Sequence, residues 1–268
     1  MLAVSNITIF KRSNITTPLK QRYFIELVYN GTNYHGWQSQ HNAVSVQEVL
    51  NKALSTVLRE PIETVGCGRT DTGVHAKEFF AHFDVVNGSW FIDHGTLLRS
   101  INSVLPNDTA VKRIIPVDKN AHARFDAILR SYEYHIHFEK DPFKNGYSWL
   151  LRDMPDLELM NKAAKILMAY TDFSCFSKSN TQVKTNNCKI SRAEWVKTDD
   201  GIVFHISADR FLRNMVRAIV GTLLMVGHKE IEPEAIRDII QSKKRGNAGA
   251  SVPACGLYLT RVEYPPTS

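Results

Sequence analysis

The chain has 268 residues, 43% hydrophobic and 22% charged, with a formal net charge of +6. That length buries a sizeable core in one bilobed domain or two small ones, and the composition is that of an ordinary globular protein. The basic excess suits a polyanionic partner without forming a tail of charge, and no apolar run approaches the ~18 residues of a membrane span.

Residues 1–19 show no period and no apolar signal-peptide core, so they read as a loosely attached extension of a cytoplasmic protein. Tyr23–Tyr29 is a strand ended by the Asn30-Gly31 turn signal. The loop Tyr34–Gln40 mixes aromatics with amides; RNA bases stack on such rings, and such rings also pin loops down. Ser45-Val46-Gln47-Glu48 is a capping box opening a helix whose stripe Val46, Val49, Leu50, Ala53, Leu54 and Val57 is core.

Ile62–Val65 reads as a short strand that breaks into Gly66-Cys67-Gly68-Arg69-Thr70-Asp71-Thr72-Gly73-Val74-His75-Ala76. Glycines at 66, 68 and 73 permit positive φ and close approach of a ligand. An arginine near Asp71 favours its charged form, and a loop mounted on a sheet can aim it at a substrate. Val74-His75 stands where a P-loop needs Lys-Ser/Thr, and there is no G-x-G-x-x-G, so no nucleotide cofactor is expected. Phe79, Ala81, Phe83 and Val85 then alternate as a half-buried strand. A helix over about His94–Ser103, capped by Asp93, leads to a strand at Ala110–Ile115.

The stretch from His122 to Phe138 carries Arg124 and then alternates strictly. Arg130, Tyr132, Tyr134, Ile136 and Phe138 share one face; Ser131, Glu133, His135 and His137 share the other. Two basic residues and an aromatic at the head of a strand suit RNA; a plain tyrosine ladder on a sheet gives the same pattern. His135 and His137 lack a third ligand and read as surface residues. The four cysteines, Cys67, Cys175, Cys188 and Cys255, lie far apart, which argues against zinc and against a disulfide framework.

A helix over Leu157–Tyr170 enters through Pro155-Asp156, and the polar stretch 177–189 suits contact with phosphates. Strands at Ile190–Lys197 and Ile202–Ala208 form a hairpin across Asp199-Asp200-Gly201. Arg210–Gly221 opens an apolar helix ending near Gly227, with Arg213 and Arg217 at i and i+4 on one face. An arginine on so apolar a helix needs a carboxylate partner. A helix over Pro233–Ser242, the basic loop Lys243-Lys244-Arg245-Gly246 and a strand at Gly256–Val262 close the chain. Two strand–helix–strand–strand sets point to an α+β protein of two related lobes, each a mainly antiparallel or mixed sheet backed by helices. Their boundary lies near 116–125 or 140–155; the first choice divides residues 20–120 from 121–268.

Gly68-Arg69-Thr70-Asp71-Thr72-Gly73-Val74-His75-Ala76 closely resembles the active-site signature of the TruA family of tRNA pseudouridine synthases, with Thr72 where that family usually has Ala. Tyr34–Gln40, Ala123–Tyr134, Asp172–Ser177 and Gly256–Val262 resemble further family segments, so the likeness spans roughly residues 21–264. It implies that Asp71 is the catalytic aspartate and Arg69 its neighbour at the RNA. It also implies that the Tyr132 ring packs on the target base and that Arg217 contacts the catalytic carboxylate. With it come two lobes flanking a basic cleft, a homodimer, and the tRNA anticodon arm at positions 38–40 as substrate. No cofactor and no metal are expected, because the isomerisation gains and loses no atom. The residues expected to touch RNA are Trp37, Gln38, Arg124, Arg130, Tyr134, Phe173, Arg213, Lys243 and Lys244. A non-catalytic RNA-binding or chaperone protein on the same fold would need the basic loops but not Asp71, Arg69, Tyr132 and Arg217 together.

Overall fold

The structure is a computed structural model and describes residues 20–86, 93–178 and 185–266. The extension at 1–19 and positions 179–184 of the polar stretch lie outside the described residues. In chain order the elements begin β1 (Gln21–Tyr29), α1 (Val46–Leu58), β2 (Val65–Gly66), β3 (His75–Val85), α2 (His94–Val104) and β4 (Thr109–Val117). They continue β5 (Leu129–His137), β6 (Trp149–Leu150), α3 (Leu157–Leu167), β7 (Ile190–Thr198), β8 (Gly201–Ala208), α4 (Met215–Gly227), α5 (Ala235–Ser242) and β9 (Leu257–Glu263).

Local signals explain most of the helix starts. Ser45 accepts the Glu48 N–H at 3.2 Å, as the capping box predicts, and Asp93 and Asp156 cap α2 and α3 in the same way. The start of α4 differs from expectation. Asn214 adopts left-handed φ 66°, so the helix begins at Met215 and Arg213 precedes it. Arg213 and Arg217 therefore share no helical face. The strand expected at Ile62–Val65 shrinks to Val65–Gly66, because Ile62 goes into the core and the Thr64 N–H is taken by the Asn51 side chain.

The strands form one mixed, open sheet in the order β4-β1-β3-β9-β5-β8-β7, with β2 added to β3 and β6 to β5. The fold is α+β, and the pairings are antiparallel except β3 with β9 and β5 with β6. Two hydrophobic cores sit on this sheet. One gathers Ile25, Leu27, Leu50, Leu54, Phe79 and Phe83; the other gathers Tyr134, Ile136, Phe173, Phe204 and Ile219. The last strand joins them, since β9 sends Leu259 and Val262 into the first core and Leu257 into the second. Residues of the two halves of the chain are thus brought side by side at β3, β9 and β5.

β3 is buried on both faces rather than one. Phe80 and His82, on the face expected to be open, are covered by Tyr264 and the turn at 121–127. His82 is buried neutral, its Nδ1 accepting the Ala123 N–H at 3.1 Å. Burial, with Arg22 and His122 nearby, pulls its pKa from 6.5 down to about 4. Below pH 6.5 an unfolded chain takes up a proton here that the folded chain refuses until about pH 4. Stability therefore falls as pH drops through that window, and the loss is complete below it. Thermal unfolding followed from pH 7 to pH 4.5 is expected to show this slope, and His82→Asn to flatten it; an unchanged slope in the variant would assign the effect elsewhere.

Candidate active site

The Asp71 loop is held by backbone bonds from neighbours on both sides. Cys67 N–H donates to Phe80 O at 2.7 Å, Trp37 N–H to Thr70 O at 3.3 Å, and Gly73 N–H to Tyr34 O at 3.2 Å. The hydroxyls of Thr70 and Tyr29 are 2.9 Å apart. His75 is clamped between the Gly31 N–H, donating to Nδ1 at 3.0 Å, and the Cys255 carbonyl, 3.2 Å from Nε2. Burial lowers the His75 pKa, consistent with a neutral ring that accepts on one nitrogen and donates on the other. The loop 34–37 is thus the bed on which the Asp71 loop rests. Gly36, at φ 86°, is part of the fit: a Cβ there would stand 2.3 Å from Thr70 O.

This arrangement corrects several expectations. Of Gly66, Gly68 and Gly73, only Gly73 has positive φ. Gly66 is small because a Cβ there would stand 2.6 Å from the Trp37 indole. Trp37 is 1% exposed and stacks on Phe79 with centroids 4.2 Å apart, so it is core and not an RNA contact. Trp37→Ala is expected to cost about 3–5 kcal/mol of stability, as large-to-small core changes do. Denaturant unfolding measures it; an unchanged midpoint with weakened RNA binding would restore the ligand role.

Tyr134 and Phe173 are fully buried as well. The Tyr134 hydroxyl donates to Pro253 O at 2.7 Å, and Phe173 heads the buried turn Ser174–Phe176, so neither can reach a ligand. Gln38 is half-buried, its amide donating to Gln47 at 2.7 Å. Arg130 is spent on the fold. Its guanidinium donates to the carbonyls of Ala127 (3.0 Å), Asp209 (2.8 Å), Cys67 (2.8 Å) and Arg124 (2.7 Å), making it a brace between the Asp71 loop and the turn bearing Arg124. His137, expected at the surface, is buried with Nδ1 3.0 Å from the Ser148 hydroxyl, while His135 meets Glu133 at 3.0 Å. Among the described residues no three His, Cys, Asp or Glu side chains are grouped to hold a metal.

Arg213 and Arg217 converge on Asp71. Its half-buried carboxylate faces Arg213 Nε at 3.8 Å and Arg217 Nη1 at 3.9 Å. Both guanidiniums are too far for a hydrogen bond, so they set the field without occupying the oxygens. Arg217 is fixed by a second contact, Nε donating to Val252 O at 2.7 Å, and Val252 N–H returns a bond to Arg217 O at 3.3 Å. The segment 248–252 lies directly on α4, where Gly249 N–H donates to the Thr222 hydroxyl at 2.9 Å. No sequence pattern marked that segment as part of the site.

Tyr132 projects from β5 with its ring edge-on to Phe211, centroids 5.1 Å apart. Burial, then the Cys67 and Asp71 groups, push its phenol pKa up, so it keeps its proton. The Cys67 thiol, raised by burial to about 12, is inert. Arg69 is exposed. Burial and the charges of Arg69, Arg130 and Arg210 lower the pKa of Arg124, which places four guanidiniums in one neighbourhood. Arg130 is occupied by its four carbonyls, and Arg69, Arg124 and Arg210 form no ion pair among the described residues, so these three present positive charge. Lys243 pairs with Asp172 at 2.8 Å and, with Ser174, brings that carboxyl down to about 2; Lys244 is exposed.

Residues 163–265 match a family model described as tRNA pseudouridine synthase. The chain is 52% identical over 248 residues to the tRNA pseudouridine synthase A of Bacteroides thetaiotaomicron, covering 91% of each chain. It is 50% identical to that of Porphyromonas gingivalis, over 91% of this chain and 97% of the relative. The corresponding Thermoanaerobacter pseudethanolicus protein is 40% identical over 90% of this chain and 98% of its own. No helix among the described residues is long and apolar enough to cross a membrane.

Proposed function

The chain belongs to the tRNA pseudouridine synthase A family, and from that premise we propose that it isomerises uridine to pseudouridine in the anticodon arm of tRNA, at positions 38–40. The observation that carries the reading is one carboxylate, Asp71, facing the guanidiniums of Arg213 and Arg217, with Tyr132 near enough to feel its charge and the exposed Arg69 two residues away.

The chemistry asks for little more. The N1–C1′ bond breaks, the uracil turns, C5 joins C1′, the C5 proton leaves and N1 gains one. Hydrolytic glycosidases use two carboxylates because water must be activated and a leaving group protonated. Here the base is recaptured, so one carboxylate acting at the sugar or at the ring suffices. The Tyr132 ring offers its face to the uracil, and its hydroxyl, protonated in the free protein because burial pushes its pKa up, stands where it can take part in the proton transfer from C5. Arg217 and Arg213 hold the field at Asp71 as charge redistributes.

A stem nucleotide must leave the stack to reach Asp71, and the exposed Arg69 side chain would fill the gap. Arg124 and Arg210, with Lys243 and Lys244 further off, would follow the phosphates, so shape and backbone contacts dominate recognition. The enzyme works in the cytoplasm as a homodimer in this reading, which sedimentation equilibrium checks.

The test uses purified protein and unmodified tRNA carrying tritium at uracil C5. Release of label to water, with pseudouridine mapped to the anticodon arm, supports the reading. Tight tRNA binding without release would leave a non-catalytic RNA-binding protein instead.

A further inference from the structure

Beside the arginine cluster stands a large apolar side chain that lies outside both hydrophobic cores. Phe125 is 74% exposed. The turn that carries it is nevertheless held tightly. His122 N–H donates to the Asp126 carboxylate at 2.7 Å, and Asp126 N–H donates to His122 O at 3.0 Å. Nδ1 of His122 accepts the N–H groups of Arg124 (3.1 Å) and Phe125 (3.3 Å), while Nδ1 of His82 accepts that of Ala123 (3.1 Å). Three consecutive amides are thus fixed by two imidazoles whose centroids lie 4.6 Å apart.

The ring itself is oriented. Its centroid lies 4.2 Å from that of His122 at an interplanar angle of 32°, and the Arg124 guanidinium lies 5.9 Å from it. The turn is registered to the Asp71 loop by one nitrogen: Arg130 Nη2 donates to both Arg124 O and Cys67 O. A held, exposed aromatic beside the Arg124 guanidinium, which forms no ion pair among the described residues, is the combination by which single-stranded nucleic acid is held, bases on rings and phosphates on charges.

We propose that Phe125 is a stacking platform for an unpaired base of the bound RNA, one that flanks the nucleotide presented to Asp71. The uncompensated charge around it selects a polyanion, and an unpaired base offers the π-face that the ring fits. The proposal rests on the synthase reading for the identity of the RNA but not for the stacking itself.

The experiment measures binding and turnover of an anticodon stem-loop RNA by wild type, Phe125→Ala, Phe125→Trp and Arg124→Ala. Phe125→Ala is expected to raise Kd and KM by roughly tenfold, the scale of losing one base–aromatic stack, with an unchanged salt slope. Phe125→Trp restores affinity, and Arg124→Ala lowers the salt slope. Wild-type affinity in Phe125→Ala, or no rescue by Trp, overturns the stacking role while wild-type tritium release leaves the synthase reading standing. A tenfold, Trp-rescued loss of binding in a protein that releases no tritium upholds the platform and overturns the synthase. Absence of RNA binding by wild type overturns both. Phe125 lies on the surface, so these variants test contact rather than folding.

Discussion

Asp71→Asn is expected to lower tritium release from uracil C5 by at least about a thousandfold while tRNA affinity stays close to wild type. The substitution is nearly isosteric, and the fold does not depend on the carboxylate. The loop is positioned by the backbone bonds of Cys67, Thr70 and Gly73, whereas the Asp71 oxygens sit 3.8 and 3.9 Å from the flanking guanidiniums. Losing the negative charge leaves Arg213 and Arg217 uncompensated, which favours a polyanion if it does anything to binding. Single-turnover release at saturating tRNA and a filter-binding titration separate the two quantities. A parallel loss of affinity would make Asp71 a structural residue, and surviving turnover would move the chemistry to another group.

Arg217→Met is expected to lower kcat by about a hundredfold or more, the scale of removing a preorganised charge from a reacting centre, and Arg213→Met by less than tenfold. The difference comes from burial and anchoring. The Arg217 side chain is 21% exposed and bonded to Val252 O, while that of Arg213 is 62% exposed and screened by water. Removing Arg217 also orphans the Val252 carbonyl. Arg217→Lys keeps the charge, but one ammonium cannot reach both the carbonyl and the carboxylate in that geometry, so it rescues only in part. Equal losses in kcat for the two methionine variants would show that anchoring is irrelevant.

The two variants differ in what could be foreseen about them. Helical spacing pairs Arg213 with Arg217, yet Arg213 lies before the helix, beyond the left-handed turn at Asn214. Both still face Asp71, because a loop and a helix start can converge on one point without sharing a helical period. Thr72, the one departure noted from the family signature, is exposed and leaves the loop's backbone bonds to its neighbours.

Much of the chain was legible one segment at a time. Capping residues at Ser45, Asp93 and Asp156 and the turn at Asp199-Asp200-Gly201 act within a few residues, so the sequence states them directly. The glycine-punctuated string around Asp71 was legible for the same reason: its chemistry and its turn lie in consecutive residues. What each large or charged side chain meets is a different matter, because its partner comes from elsewhere in the chain. Arg130 finds Cys67, 63 residues away, and Arg217 finds Val252, 35 residues away. An arginine bonded to four carbonyls and one left free for RNA look alike in sequence. Trp37, Tyr134 and Phe173 likewise have the composition of a stacking surface, and only the packing of Phe79, of Pro253 and of the second core buries them. Local signals in the sequence were enough for the reactive loop and for most element starts, the strand at Val65–Gly66 and the start of α4 at Met215 being the exceptions. Tertiary structure alone decided which aromatics and arginines remain available to a ligand, because burial and long-range hydrogen bonds are properties of the assembled sheet.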